Sequence, residues 1–304
     1  MKTTSMNKNT IVPFILLFLG AIIYGSFFSA QNIALNTGVT PIGLAFWQSF
    51  MGAIILLVFA LIFRELPKFS WDHIRLYCSI SLFAFSIPLI AVSFAAPHIP
   101  PGILGLVVTM VPSLTYLFSF FAKLEKFNWL STGGLAFGLL GVLIIILSTS
   151  SLEGSFSGSW FIVALIAPLG YAASNTAVAL IRPAEATTIQ LSTGVLCFSV
   201  PILVIPFIFI GDINNISNTS FAAFGSVLWA GITNIVIFVT LFEVIYRRGP
   251  VFFSQFNYIT PAAALLWAYI IFSQGIETII WLAIIFMAIG LYLANKGTEK
   301  NFNK

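Results

Sequence analysis

Charge is what this sequence has least of. Only 7% of its 304 residues are Asp, Glu, Lys or Arg, against about a quarter in a soluble domain. Mean hydropathy is +1.05. These figures exclude a soluble globular chain and a disordered one. Cysteine is scarce too: Cys78 and Cys197 each stand alone in an apolar run. With no CxxC spacing and the two in different runs, neither a disulfide framework nor a metal site is expected. Both read as small apolar filler. There is no P-loop, no GxSxG and no cluster of His and Cys. Motifs for ATP coupling in cis and for nucleophilic or metal-assisted catalysis are missing, so the chain reads as a non-enzyme that needs no cofactor and no metal.

What the chain does have is apolar length. Hydrophobic residues make up 59% of it, with 32 Phe among them. At roughly 20 residues per crossing, that is material for about nine to eleven membrane helices. Runs of spanning length lie at Ile11 to Leu35, Pro41 to Phe63, Leu76 to Ala96, Pro101 to Ala122 and Trp129 to Leu147. A second set lies at Trp160 to Ile181, Ile189 to Ile210, Phe221 to Ile245, Pro250 to Ser273 and Thr278 to Ala294. The runs are apolar all round, which excludes the alternating strands of a β-barrel.

The basic residues test this count of ten. Lys2 and Lys8 precede the first run; Arg64, Lys68 and Arg75 follow the second; Lys123 and Lys126 follow the fourth. Arg182 follows the sixth, Arg247 and Arg248 the eighth, and Lys296, Lys300 and Lys304 close the chain. That is all 13 Lys and Arg, and the intervening connections hold none. Ten spans with both termini in the cytoplasm put every basic residue on one side, as the positive-inside rule requires. A missed or invented span breaks the alternation. The same rule explains the net charge of +4, so no nucleic-acid partner is expected. The first run is long for a signal peptide, and removing it spoils the even count, so it is expected to remain as a span. The stretch Ser148 to Ser157 is small and polar, an external loop rather than a domain.

The two halves resemble each other. Val111-Pro112-Ser113-Leu114 aligns with Thr260-Pro261-Ala262-Ala263, and at the same offset Pro101 meets Pro250 and Gly141 meets Gly290. In the second and seventh runs Gln48 meets Gln190 and Gly52 meets Gly194; Tyr24 aligns with Tyr171. Each half holds five runs, an odd number, so the second half enters the membrane inverted. The expected fold is an all-α integral membrane protein of ten transmembrane helices, in two inverted five-helix repeats over residues 1–148 and 149–304. Inverted repeats are a transporter architecture with the substrate near the midplane.

With these features the chain resembles the drug/metabolite transporter superfamily, specifically its EamA-type ten-helix exporters. Tyr24-Gly25-Ser26, the run Val111-Pro112, Leu124-Glu125, Gly134 and Gly141-Val142, then Arg247-Arg248-Gly249-Pro250 and Thr260-Pro261, carry the resemblance over nearly the whole chain. Such exporters commonly place an acid just after the fourth and ninth helices. Glu125 matches, while Gln274 stands in the second position. Where the family often has Arg in the second helix, this chain has Trp47-Gln48. The resemblance implies a cavity among helices one, three, four, six, eight and nine, and export as the direction.

No Lys, Arg or Asp lies deep in any span. Buried charge in a membrane is costly and marks ion or proton pathways, so its absence points to a substrate that is neutral overall or zwitterionic. Glu243 and Arg247 have the spacing and order of a helical ion pair, and Glu125 and His98 sit at the membrane edges. Neutral polar and aromatic residues remain near midplane: Tyr24, Ser86, Thr109, Tyr171, Asn175, Trp229, Asn234, Asn257 and Tyr258. An amide in hydrocarbon must find partners, so the three Asn are expected to face the bundle interior. These nine are the expected substrate-binding residues. Pro112 and Pro261, at equivalent repeat positions, are the expected hinges. Gly134 and Gly138 form a GxxxG step that provides for close helix packing.

The expected function is export of a small neutral or zwitterionic metabolite, an amino acid or a related compound, by secondary transport. The alternative is efflux of lipophilic drugs. The expected surroundings are the lipid bilayer and a small-molecule substrate, in the cell (inner) membrane.

Overall fold

Helix starts and stops follow local chemistry along this chain. Thr40 Oγ1 accepts the Gly43 N–H at 3.1 Å and Pro41 opens the next helix. Ser220 Oγ accepts from Ala223 N–H at 3.3 Å at another start. Such side-chain caps satisfy the first unpaired amides. Arg247 and Arg248 fill a last turn, complementing the helix dipole. Gly249, at φ +87°, then turns the chain.

The computed structural model describes residues 11–95, 98, 110–148, 158–210 and 220–273, and of the C-terminal stretch 281–282, 285–286, 288–290, 292–294 and 296–297. These are helices and short connections, with no strand among the described residues. In order they are α1 (Ile11–Asn36), α2 (Pro41–Ile62), α3 (Trp71–Ile80), a π-helical segment (Ser81–Ser86), α4 (Ile87–Ala95), α5 (Val111–Phe121) and α6 (Trp129–Ser148). Then come α7 (Gly158–Ile181), α8 (Thr188–Ile210), α9 (Phe221–Arg248), α10 (Pro250–Ser254) and α11 (Phe256–Phe272). Six of the described helices are long and apolar enough to cross a membrane: α1, α2, the continuous rod Trp71–Val92, α7, α8 and α9. Large apolar side chains such as Ile62, Phe209 and Ile270 remain exposed on the outside, as lipid contact permits.

Three details were not visible in the sequence. The third apolar run contains a π-helical insert at its centre. The ninth is broken at Gln255, between α10 and α11, and not at Pro261, which lies inside α11. Pro112 sits in the first turn of α5. There a proline's missing N–H is tolerated.

Packing pairs the elements in a regular way. α1 lies against α9 and α11, while α7 lies against α4 and α5. α2 lies against α8 and α9, while α8 lies against α2 and α3. α6 runs antiparallel to the C-terminal stretch: Ser131 meets Gly297, Gly134 meets Gly290 and Ala294, and Gly138 meets Gly290. A Cβ added at Gly290 would lie 2.5 Å from the Gly138 nitrogen. The GxxxG step of α6 is thus used within the chain.

The Lys- and Arg-bearing connections gather at one end. There Arg248 lies over the Phe14 ring, and Thr187 Oγ1 donates to Glu65 Oε2 at 2.7 Å. The apolar core beneath this basic end draws Leu17, Leu56, Tyr77, Leu196, Phe242, Phe252 and Phe256 into one buried cluster. At the opposite end the buried clusters are separate, one around Phe27, Leu44 and Val227 and another around Phe46 and Phe207.

Candidate functional site

The interior polar residues fall into groups according to what each side chain touches. Tyr24 of α1 and Tyr171 of α7 lie close enough to interact electrostatically. Both are surrounded by protein and yet only half-buried. Tyr24 stacks on Phe27 at 5.3 Å between centroids and approaches Phe256 at 5.7 Å. It therefore stands at the junction of the buried cluster at the basic end and the one around Phe27.

Several interior polar atoms are buried without a protein partner. Ser174 and Asn175 follow Tyr171 by one helical turn. Asn175 Nδ2 donates to Thr115 Oγ1 of α5 at 3.2 Å, whereas Ser174 Oγ has no partner. Ser86 Oγ, at the end of the π-helical segment, and Asn234 Nδ2 of α9 are likewise unpartnered, with Ser86 0% and Asn234 1% exposed. A π-helical insert shifts the backbone register and recurs at functional sites. Here the Phe83 carbonyl lies where a Cβ at Gly170 would be 2.5 Å away. Only glycine on α7 lets the π segment approach this closely.

The other expected residues are placed differently. Trp229 Nε1 donates to Ser26 Oγ at 2.8 Å, tying α9 to α1, and 41% of the residue is exposed. Asn257 Nδ2 donates to the Ser254 carbonyl at 3.1 Å, bridging the α10–α11 break. Tyr258 is turned toward α6: its hydroxyl donates to the Leu135 carbonyl at 3.0 Å and hydrogen-bonds Ser113, and its ring fills the space beside Gly138. That is a packing position. Thr109 lies outside the described residues, as does Gln274. His98 stacks on Trp160 at 4.2 Å.

Sequence reasoning did not find the polar network at the basic end. Glu243 pairs with Arg247 as the spacing implies, but it also accepts from Thr188 Oγ1 at 2.5 Å. Arg182 donates to the Phe242 carbonyl at 2.5 Å and the Ala186 carbonyl at 3.1 Å, with its guanidinium 4.5 Å from the Tyr246 ring centre. Burial draws the Arg182 pKa down, against the opposing pull of Glu243 and Tyr246. A cleft of about 400 Å³ lies over this network, bordered by Glu65, Glu185 and Glu243. Thr187-Thr188 was the available signal: two hydroxyls in a connection that carries one Arg. Among the described residues no group of His, Cys, Asp and Glu is arranged to hold a metal ion.

Comparison with known proteins agrees with this architecture. The EamA-like transporter family model matches the chain twice, over residues 12–147 and 158–296. An uncharacterized transporter of Buchnera aphidicola subsp. Schizaphis graminum (strain Sg) is 23% identical over 162 residues, which is 53% of this chain and 54% of that protein. The match thus spans about half of that relative's length. A solved crystal structure superposes with a TM-score of 0.79 at 16% identity, covering 95% of this chain and 98% of the other. At that identity the likeness establishes the fold alone. Two matches to one family model, together spanning most of the chain, on a bundle that is helical and apolar over the described residues, settle the class. The chain belongs to the EamA-like transporter family and is a multi-pass membrane transporter.

Proposed function

We propose that this transporter exports a small neutral or zwitterionic metabolite, an amino acid or a related compound. In this reading substrate passes by alternating access through a central crevice between two inverted five-helix repeats. The observation that carries it is the Tyr24–Tyr171 pair. Aligned residues of the two halves, they lie near enough to interact electrostatically and are both only half-buried, which suits the midplane position where an inverted-repeat transporter holds its substrate.

Other features support the same reading. The packing is unchanged when the halves are exchanged: α1 on α9 becomes α7 on the rod containing α3 and α4, and α2 on α9 becomes α8 on that rod. Gly52 is close to Gly231 of α9, and its repeat mate Gly194 is close to Tyr77 of α3. Helix occurs within each of the ten apolar runs. In this reading the end that carries the basic residues is cytoplasmic, as the positive-inside rule favours, with both termini inside and the protein in the cell (inner) membrane. The single large apolar cluster at that end, covered by the Arg182–Glu243 network, forms a closed cytoplasmic gate. The tyrosine crevice lies beyond it. The hydroxyls and amides near the crevice are neutral, which suits a substrate without net charge. Pro112 and Pro261 remain the hinges of this reading, one at a helix start and one within a helix.

The test is an untargeted comparison of metabolites inside and outside cells with and without the protein. The reading expects at least one small neutral or zwitterionic compound to shift outward. If no small molecule redistributes, the exporter reading fails. If only lipophilic compounds do, drug efflux replaces it.

A further inference from the structure

In the ninth apolar run six consecutive residues, Val251 to Phe256, are all buried. Successive helical residues point in all directions, so this segment is covered on every face. It threads the middle of the gate at the basic end, with Phe252, Phe253 and Phe256 in the same buried cluster as Phe242 and Leu17. Among these apolar neighbours is Gln255, 0% exposed, and neither its Oε1 nor its Nε2 has a hydrogen-bond partner.

A carboxamide is two donors and an acceptor. Leaving it unpaired out of water is expensive, and within a bilayer no solvent makes up the loss. An apolar side chain of similar size would pack there without that cost. The backbone is also special at this point. Gln255 is the break between α10 and α11, and its carbonyl accepts only the tight-turn bond from Tyr258 N–H at 3.0 Å. The hydroxyl of Ser254 and the amide of Asn257 on either side both turn back to nearby carbonyls. Gln255 alone keeps its polar atoms free. The repeat-equivalent position in the first half is Leu106, so the amide is not demanded by the shared architecture. The adjacent Phe256 touches Tyr24, which puts the amide just behind the central crevice.

We propose that Gln255 is a specificity-determining residue of the transport pathway. Its carboxamide is enclosed while the cytoplasmic gate is closed and takes a donor–acceptor group of the substrate, such as the ammonium and carboxylate of a zwitterion, when the gate opens. This deepens the export reading above and rests on it. Opening the basic end has to separate the elements packed around Val251 to Phe256. The amide is therefore uncovered on the side from which an exported molecule enters. A partner gained only in that state offsets the burial cost carried in the closed one, and it discriminates strongly against a substrate that lacks the hydrogen-bonding group.

The experiment is Gln255→Leu in the full-length protein, with two measurements. The first is thermal unfolding of the purified protein in detergent: the melting temperature is expected to equal or exceed that of the wild type, because an unpaired amide has been removed. A clear drop means that the amide holds a structural partner or water, and overturns the proposal. The second repeats the metabolite comparison, with the compounds that the wild type moves outward as the probes. Their export by Gln255→Leu is expected to fall about tenfold or more. Wild-type export of the same compounds by a stable Gln255→Leu protein overturns the proposal and leaves the export reading intact. A wild type that moves nothing overturns both.

Discussion

The ring of Tyr258 occupies the space that Gly138 leaves empty. A Cβ built on Gly138 would lie 2.6 Å from the ring Cζ, and the Tyr258 hydroxyl donates to the Leu135 carbonyl one turn earlier on the same helix. This locks α11 to α6, which the C-terminal stretch grips on its own glycine face. Gly138→Ala is therefore expected to destabilise the protein by about 1–3 kcal/mol, the usual cost of forcing extra volume into a packed interface. Tyr258→Phe should cost about 1 kcal/mol, the worth of one hydrogen bond. Thermal unfolding in detergent checks both. An unchanged melting temperature for Gly138→Ala would show that the two helices are not this close.

The indole of Trp229 is a tie between α9 and α1 through Ser26. Trp229→Phe keeps the aromatic bulk and removes the donor, and should cost about 0.6–1.5 kcal/mol, the range for such bonds in membrane bundles. Trp229→Ala also removes ring packing and should cost more. The same unfolding measurement separates a tie from a lipid-facing side chain, for which the two substitutions would be nearly silent.

Arg182 ties the connection between α7 and α8 to α9 at the basic end. Its planar guanidinium reaches the Phe242 and Ala186 carbonyls together and stacks on Tyr246. A lysine ammonium does not reproduce a planar fork. Arg182→Lys is expected to lower stability by about 1–3 kcal/mol, because at least one buried carbonyl loses its donor. It should also raise accessibility at the basic end. A single cysteine at Thr188, with Cys78 and Cys197 replaced by Ser, should label faster with a thiol reagent in the Arg182→Lys protein. Equal labelling rates would argue against a closing role for the network.

Much of the bundle is legible from the sequence because lipid imposes a simple code. Apolar length gives the helices, and the alternation of Lys and Arg gives their common end. Details set by neighbours are not legible. Nothing in Ser81 to Ser86 signals a π-helical insert; what permits it is Gly170, far away in the chain, against which the Phe83 carbonyl packs. Pro261 is the visible helix breaker, yet the break falls at Gln255, where Gly249 and Pro250 have already reset the chain. Of the midplane residues, Tyr24, Tyr171 and Asn175 were readable as interior groups from polarity and depth. That Tyr258 turns to Gly138 depends on the α6 contact, which helical periodicity does not encode. The unpartnered state of Gln255 is visible only once its surroundings are known.

On the proposed function, substrate moves past the tyrosine pair. The most direct test is export of the identified metabolite by the double variant Tyr24→Ala, Tyr171→Ala, measured beside its melting temperature. Export is expected to fall about tenfold or more, on the order of 1.4 kcal/mol or above, in a protein that still folds. Unaltered export by a folded double variant would contradict it and move the pathway away from the centre of the bundle.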